Sequence, residues 1–290
     1  MKEKTLIYSG VLEVIEYPGV IFKESILVKP LYVYIGDIEK EIVTGHLPIN
    51  KPIKLGSMGV VRVVEVQGSN TEYSGQTYTV SPFGSKGLLG ISEDGILANF
   101  SSIHPSYLDE PLLEVTPMDA LRPLIKHGFE LAKNSVEPVL IEGCGLIGLI
   151  TGLSLRSLGM EPLFYCEEGS RVASSYGFTC TSHLGNISKK WGSIILTSSN
   201  MASKHRILVN LDYSRLVLSR LSHTTWIPLK NDFSSVQIVL VGKGGNLDQR
   251  IYRQIMNDIG KRIKVYEAVD LNDALGLFPP RGLGFILSIK

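Results

Sequence analysis

Apolar positions divide the chain into two stretches of different period. From Thr5 to about Pro117 they come in short runs rich in Val, Ile, Tyr and Thr, punctuated by Gly and Pro. Thr5–Tyr17, Glu24–Tyr34, Gly59–Gln67 and Gln76–Ser81 each read as strand on this pattern. In Val60–Val66, Arg62 and Glu65 interrupt a β-branched run, as in a half-buried strand. Many short strands at this spacing predict a small barrel or sandwich.

After Pro117 strands and helices alternate. Asp119–Lys133 has the helical period, with Pro123 predicted to kink or restart it. Pro138–Glu142, Glu161–Cys166, Ser193–Thr197, Arg206–Leu211 and Gln237–Val241 read as strands, and Ile147–Leu158 and Ser170–Tyr176 as helices. This order predicts βαβ units, hence an α/β fold with a doubly wound parallel sheet beside the β-barrel. Leu247–Ile259 is an amphipathic helix with Ile251, Ile255, Met256 and Ile259 on one face. The connection Asp212–Ser235 holds Leu216, Val217, Leu218, Trp226 and Ile227, apolar groups that need a cover. Val139–Leu155 is apolar but short of the ~20 residues of a membrane span and carries Glu142, so it reads as a buried strand and helix start.

Composition narrows the function classes. A chain of 290 residues fits about two domains of ~150 residues. With 44% apolar and 20% charged residues it is globular, neither disordered nor fibrous. Lys+Arg of 29 against Asp+Glu of 28 leaves a net charge of +1, which gives no electrostatic case for nucleic acid or an anionic membrane as partner. The three cysteines, Cys144, Cys166 and Cys180, are sparse and irregularly spaced. They argue against a disulfide framework and for a reducing, cytoplasmic setting. Met1–Thr5 lacks the apolar run of a signal peptide.

Gly143-Cys144-Gly145-Leu146-Ile147-Gly148 fits G-x-G-x-x-G, follows a predicted strand and opens a predicted helix. In that setting Gly143 permits the tight turn, Gly145 admits a pyrophosphate to the backbone, and Gly148 lets helix and strand pack closely. The helix start, at Leu146 and Ile147, supplies N–H donors and a positive dipole end. Glu167, directly after the next strand, is the candidate acceptor for the adenosine ribose, with Glu168 beside it. Two acids, with Arg171 as the nearest base, favour NAD over NADP. The alternative is a glycine turn that has lost its ligand. Thr197 and Ser198, at the carboxyl edge of a predicted strand, either touch the cofactor or cap a helix. Cys144 is either a thiol acidified by the helix start or a small packing residue.

These features together resemble the medium-chain dehydrogenase/reductase family, of the zinc alcohol and polyol dehydrogenase type. Pro52–Val60 resembles its P-x-x-L-G-H-E-G segment, Gly75–Pro82 its G-D-x-V-x-x-x-P strand, and Asp94–Phe100 its D-G-G-F-A-E-Y stretch. Gln237–Lys290, with its Leu271–Ala274 turn, resembles the family's end. The resemblance implies a GroES-like catalytic domain over residues 1–118 and a Rossmann domain over 119–245. It implies a return of 246–290 to the catalytic domain, and a cleft between the two. It also implies a homodimer through the Rossmann sheet edge, near Arg206–Leu211 and Gln237–Val241.

The family's metal ligands do not carry over. The cysteine position falls on Ile35 or Gly36, the G-H-E motif reads Gly56-Ser57-Met58, and E-P-L reads Arg122-Pro123-Leu124. Zinc needs N, S or O ligands, and a guanidinium supplies no lone pair. Phe83–Gly90 replaces the four-cysteine lobe. No metal is therefore expected. Arg122, Tyr34, Asp37, Glu39 and Ser57 fall near the former metal pocket by the same resemblance. Arg122 would hold a carboxylate or stabilise an enolate, or else pair with Asp37 or Glu39 in the metal's place. Tyr34 would donate a proton. His46, His104 and His127 read as surface or packing residues. Two functional readings follow. One is a zinc-independent NAD(P)-dependent oxidoreductase, acting on a small carbonyl or activated alkene like the quinone and enoyl reductases. The other is a catalytically inactive nucleotide-binding or interaction protein.

Overall fold

The β-branched runs of the amino-terminal part pair into antiparallel sheets in the computed structural model, which describes residues 2–18, 26–49, 52–67, 71–167, 169–221 and 236–290. In chain order this part holds β1 (Glu3–Tyr8), β2 (Leu12–Tyr17), β3 (Ile26–Ile35), α1 (Asp37–Val43), β4 (Ile53–Lys54), β5 (Met58–Val66), β6 (Thr77–Val80), β7 (Ser101–Ile103) and β8 (Leu108–Leu112). Then come α2 (Arg122–Lys133), β9 (Val139–Glu142), α3 (Leu146–Ser157), β10 (Leu163–Tyr165), α4 (Ser170–Ser174), β11 (Thr179–Thr181), β12 (Lys190–Leu196), α5 (Met201–Asn210), β13 (Asp212–Ser219) and β14 (Gln237–Val241). The chain closes with α6 (Gln249–Gly260), β15 (Lys264–Ala268), α7 (Leu271–Leu275) and β16 (Phe285–Ile289). Two compact units result, Met1–Pro123 with Ile259–Lys290, and Leu124–Asp258.

In the first unit a three-stranded sheet runs β2-β1-β4, and a seven-stranded sheet runs β15-β16-β3-β5-β6-β8 with β7 on β3. Strand β16 brings the chain end back, pairing Phe285 with Ile35 and Ile286 with Tyr34. The expected single strand Thr5–Tyr17 is a hairpin, because Ser9-Gly10-Val11 turns the chain, with Gly10 at φ +103°. Helix α1 was not legible as a helix; its buried residues Ile38, Glu39 and Ile42 include a charge where an apolar stripe is expected. The expected helix Asp119–Lys133 is a one-turn helix, Pro117–Leu121, followed by α2, so Pro123 falls in the first turn of a restarted helix, where its missing N–H costs nothing.

The second unit holds a six-stranded sheet, every strand parallel to its neighbours, in the order β11-β10-β9-β12-β13-β14. Numbered from β9, that is 3-2-1-4-5-6, the doubly wound order of dinucleotide-binding folds. Helix α3 is buried from Leu146 to Leu155, which explains why its sequence is apolar all round. The described helices include none long and apolar enough to cross a membrane.

Two expectations here are corrected. Arg206–Leu211 is not a strand: Met201–Asn210 is helix α5, buried at Ser203, Lys204, Ile207 and Leu208. That spacing is helical, and the run Ile207-Leu208-Val209 imitates a strand only locally. Asp212–Ser235 is therefore not one long connection. Its first part is β13, whose Leu216, Val217 and Leu218 lie in the core, and Trp226 and Ile227 fall outside the described residues.

His127 on α2 is fully buried and joins separate parts of the second unit. Its Nδ1 lies 2.7 Å from the Gly242 carbonyl oxygen and its Nε2 2.7 Å from Ser219 Oγ. Burial pushes its pKa down to about 4, against the Gly242 hydrogen bond. An unfolded histidine takes its proton near pH 6.5, so between there and pH 4 only the unfolded state is protonated. Stability is thus lost as pH falls through that window, by roughly 3 kcal/mol at 1.36 kcal/mol per pKa unit. Histidine Cε1–H shifts followed by NMR from pH 7.5 to 5.5 are expected to show His127 staying neutral; a His127 midpoint near 6.5 overturns the assignment.

Candidate functional site

In the first unit Glu39, Gly36 and Ser57 are tied to one another. Glu39 lies on α1 and is buried, with only 1% of its surface exposed. Its Oε2 accepts from the Gly36 N–H at 3.0 Å, capping the helix start. Its Oε1 accepts from the Ser57 N–H at 3.1 Å and from the Ser57 hydroxyl at 2.9 Å. Burial raises the Glu39 pKa, and these hydrogen bonds oppose the rise. A Cβ at residue 36 would overlap the Tyr34 ring, so the glycine admits that ring. Tyr34 donates to the Leu283 carbonyl oxygen at 2.7 Å, and burial, then the charges of Asp37 and Glu39, push its hydroxyl well above the usual range.

Arg122 lies beside two acids, its Nε 2.9 Å from Asp119 and its Nη1 3.1 Å from Glu110. The Glu39 carboxylate accepts from Gly36 and Ser57. Among the described residues no group of three His, Cys, Asp or Glu side chains gathers where a metal ion could bind. A serine hydroxyl already donating to Glu39, together with Met58, is a poor donor set for zinc. The residues present do not fit that metal.

In the second unit the carboxyl ends of three strands stop at one level. Tyr165, Glu142 and Leu196 are paired across β10, β9 and β12, so Cys166, Gly143 and Thr197 follow side by side. Gly143 has φ +100°, and a Cβ there would crowd the Thr197 hydroxyl. A Cβ at Gly148 would overlap the Gly143 carbonyl oxygen. Both glycines are thus demanded by the fold itself. Gly145, which caps α3, has φ −76°, open to any residue. Its dihedral angles therefore do not require glycine.

Thr197 and Ser198 serve the chain rather than open space. The Thr197 hydroxyl donates to the Glu142 carbonyl oxygen at 2.7 Å, and the Ser198 hydroxyl donates to the Glu142 carboxylate. Glu142 is buried, which raises its pKa, while Ser198, Ser203 and the Lys204 charge hold it down. Asn200 caps α5, accepting from the Ser203 N–H at 3.1 Å.

Glu167 meets two partners that were not foreseen. Asn200 Nδ2 donates to its Oε2 at 3.1 Å, and Arg206 Nη1 lies 3.1 Å from its Oε1. Arg206 is thus a base beside Glu167. Reading Arg206 as strand concealed it, because only on α5 does it share a site with Glu167. Cys144 and Cys166 form a disulfide, their Cα atoms 5.6 Å apart, whereas Cys180 is free. Sparse cysteines concealed this pair, although adjacent parallel strands bring the residue after the first glycine beside the end of the next strand.

The sequence matches no protein-family model and no curated protein. Solved structures do match along the whole chain. An alcohol dehydrogenase from Pyrobaculum aerophilum aligns at TM-score 0.70 and 15% identity over 99% of this chain and 100% of its own. Acetophenone reductase from Geotrichum candidum, solved with NAD, aligns at 0.71 and 17% over 99% and 97%. TarJ from S. aureus, solved with NADPH, aligns at 0.65 and 14% over 100% of both chains. At such identities the likeness is one of fold, and the chain has the two-part fold of the alcohol dehydrogenases, a GroES-like barrel and a Rossmann domain.

Proposed function

We propose that the chain binds a nicotinamide dinucleotide at the Gly143–Gly148 turn and is an oxidoreductase that works without zinc. The observation that carries this reading is Gly145, a glycine without a backbone reason at the start of a 12-residue buried helix. The dinucleotide, when bound, supplies or accepts a hydride at its nicotinamide ring. Leu146 and Ile147 open the helix whose dipole favours the pyrophosphate. Glu167 accepts from the adenosine ribose. The replacement of the family's zinc ligands, as in its zinc-independent quinone and enoyl reductase branch, supports a small carbonyl or activated alkene as substrate.

NAD is the first choice, because a carboxylate at Glu167 suits two ribose hydroxyls and repels a 2′-phosphate. Arg206 softens that choice, since its guanidinium lies beside Glu167 and is 56% exposed. It would grip a 2′-phosphate as a charge-assisted donor. NADP is thus a second ligand of the same site.

A second reading has its own support. Tyr34, Ser57 and Glu39 are buried and committed to partners within the chain, so none of the three is poised as a catalytic group. A protein that holds the nucleotide without turning it over fits that arrangement. Strand β14 also suits the expected homodimer. Among the described residues it lies at the sheet edge, and its Ile238 and Leu240 are 46% and 52% exposed.

Titration of NADH and NADPH, followed by nicotinamide fluorescence, is expected to show binding with NADH preferred. Gly145→Val should weaken both by more than about tenfold with an unchanged unfolding midpoint, because its extended backbone suits a β-branched residue and the side chain would take the pyrophosphate's space. Arg206→Ala should raise the preference for NADH about tenfold, the ~1.4 kcal/mol of one charge-assisted hydrogen bond. No binding of either nucleotide overturns the proposal. Binding without consumption across aldehydes, ketones, quinones and enones selects the second reading. Equilibrium sedimentation is expected to report a dimer that Ile238→Asp dissociates; a wild-type monomer removes that part.

A further inference from the structure

We infer that Cys144 and Cys166 are a reversible thiol–disulfide site that sets the affinity of the nucleotide-binding turn, an inference that rests on the nucleotide-binding reading above. The placement of the pair is what carries it. Cys144 stands between Gly143 and Gly145 in the turn, and Cys166 directly precedes Glu167. The disulfide, closing a separation of 22 residues, therefore joins the backbone that would receive the pyrophosphate to the carboxylate that would receive the ribose. The 5.6 Å between the Cα atoms lies in the ordinary range for a disulfide, so the two strand ends need no displacement to form it.

The bond spans the two halves of one ligand's footprint. Reduction removes the covalent tie and returns conformational freedom to the turn and the strand end, each of which carries a binding group one residue away. The disulfide form is therefore the preorganised one, and it binds the nucleotide more tightly. Cys144 is the more open of the two, at 6% exposure against 2% for Cys166.

The chemistry is ordinary exchange with a low-molecular-weight thiol. A thiolate attacks Sγ of Cys144, its S–S bond to Cys166 breaks, and Cys166 leaves as a thiolate that takes a proton. A second molecule of the same thiol then attacks the mixed disulfide, releasing Cys144 as a thiol and the small thiol as its own disulfide. Two electrons pass to the protein, two small thiols are oxidised, and the reverse sequence with the small disulfide restores the bond. Burial makes both directions slow compared with an exposed pair.

The test compares the full chain after treatment with oxidised glutathione and after treatment with a phosphine reductant. Alkylation in denaturant is expected to label Cys180 alone in the first sample and all three cysteines in the second. NADH should bind the oxidised sample about tenfold more tightly, which is ~1.4 kcal/mol. Cys166→Ser should show the weaker affinity under both treatments, and Cys180→Ser should keep the full response. Three labelled cysteines after oxidation overturn the site. Equal NADH affinity in the two wild-type samples overturns the switch and leaves nucleotide binding standing. No binding in either sample overturns both readings together.

Discussion

The start of α3 lies so close to the end of β9 that a single Cβ at Gly148 would collide with the Gly143 carbonyl oxygen. Much of the second unit follows from that approach. It forces glycine at both positions and puts Gly143 at φ +100°. It also sets the helix start at the level where β10 and β12 end, because those strands pair with β9 in matched register. Glu167, Cys166, Thr197 and Ser198 come to one edge because neighbouring parallel strands must end together before their chains can turn into helices. The buried carboxylate of Glu142 secures the edge, gathering Ser198 and Ser203 near the Lys204 charge. Removing a partner from such a cluster would leave a buried charge or donor unsatisfied, which is why its members are fixed.

The first unit obeys the same demand for polar satisfaction in a different way. A buried carboxylate there accepts three hydrogen bonds from Gly36 and Ser57. Glu39 thus does structural work, capping α1 and tying it to the residue before β5. Arg122 is balanced by Asp119 and Glu110.

Legibility in the sequence varied with the range of the interaction. The strand Val139–Glu142 and helix Leu146–Ser157 were readable because a glycine turn between two apolar runs has few other solutions. Pro123 marked the restart of a helix for the same local reason. Residues 206–211 failed because Ile207-Leu208-Val209 satisfies either period over so short a run, and burial at Ser203 and Lys204, which decides it, involves a serine and a lysine that no hydrophobic pattern counts. Helix α1 failed likewise, since its buried face includes Glu39.

What the sequence determined by itself was the change from short strands to alternating strands and helices after Pro117, and the glycine turn between β9 and α3. Those are statements about residue type and local period, and local sterics suffice to make them. Only the tertiary structure decided the partners: Glu39 with Ser57, Arg206 with Glu167, and Cys144 with Cys166. The last two pairs lie on segments separated by a strand or helix, and parallel register brings them together at one sheet edge. Sequence spacing carries no measure of that distance, because a βαβ crossover returns the chain to its starting level whatever the helix between contains.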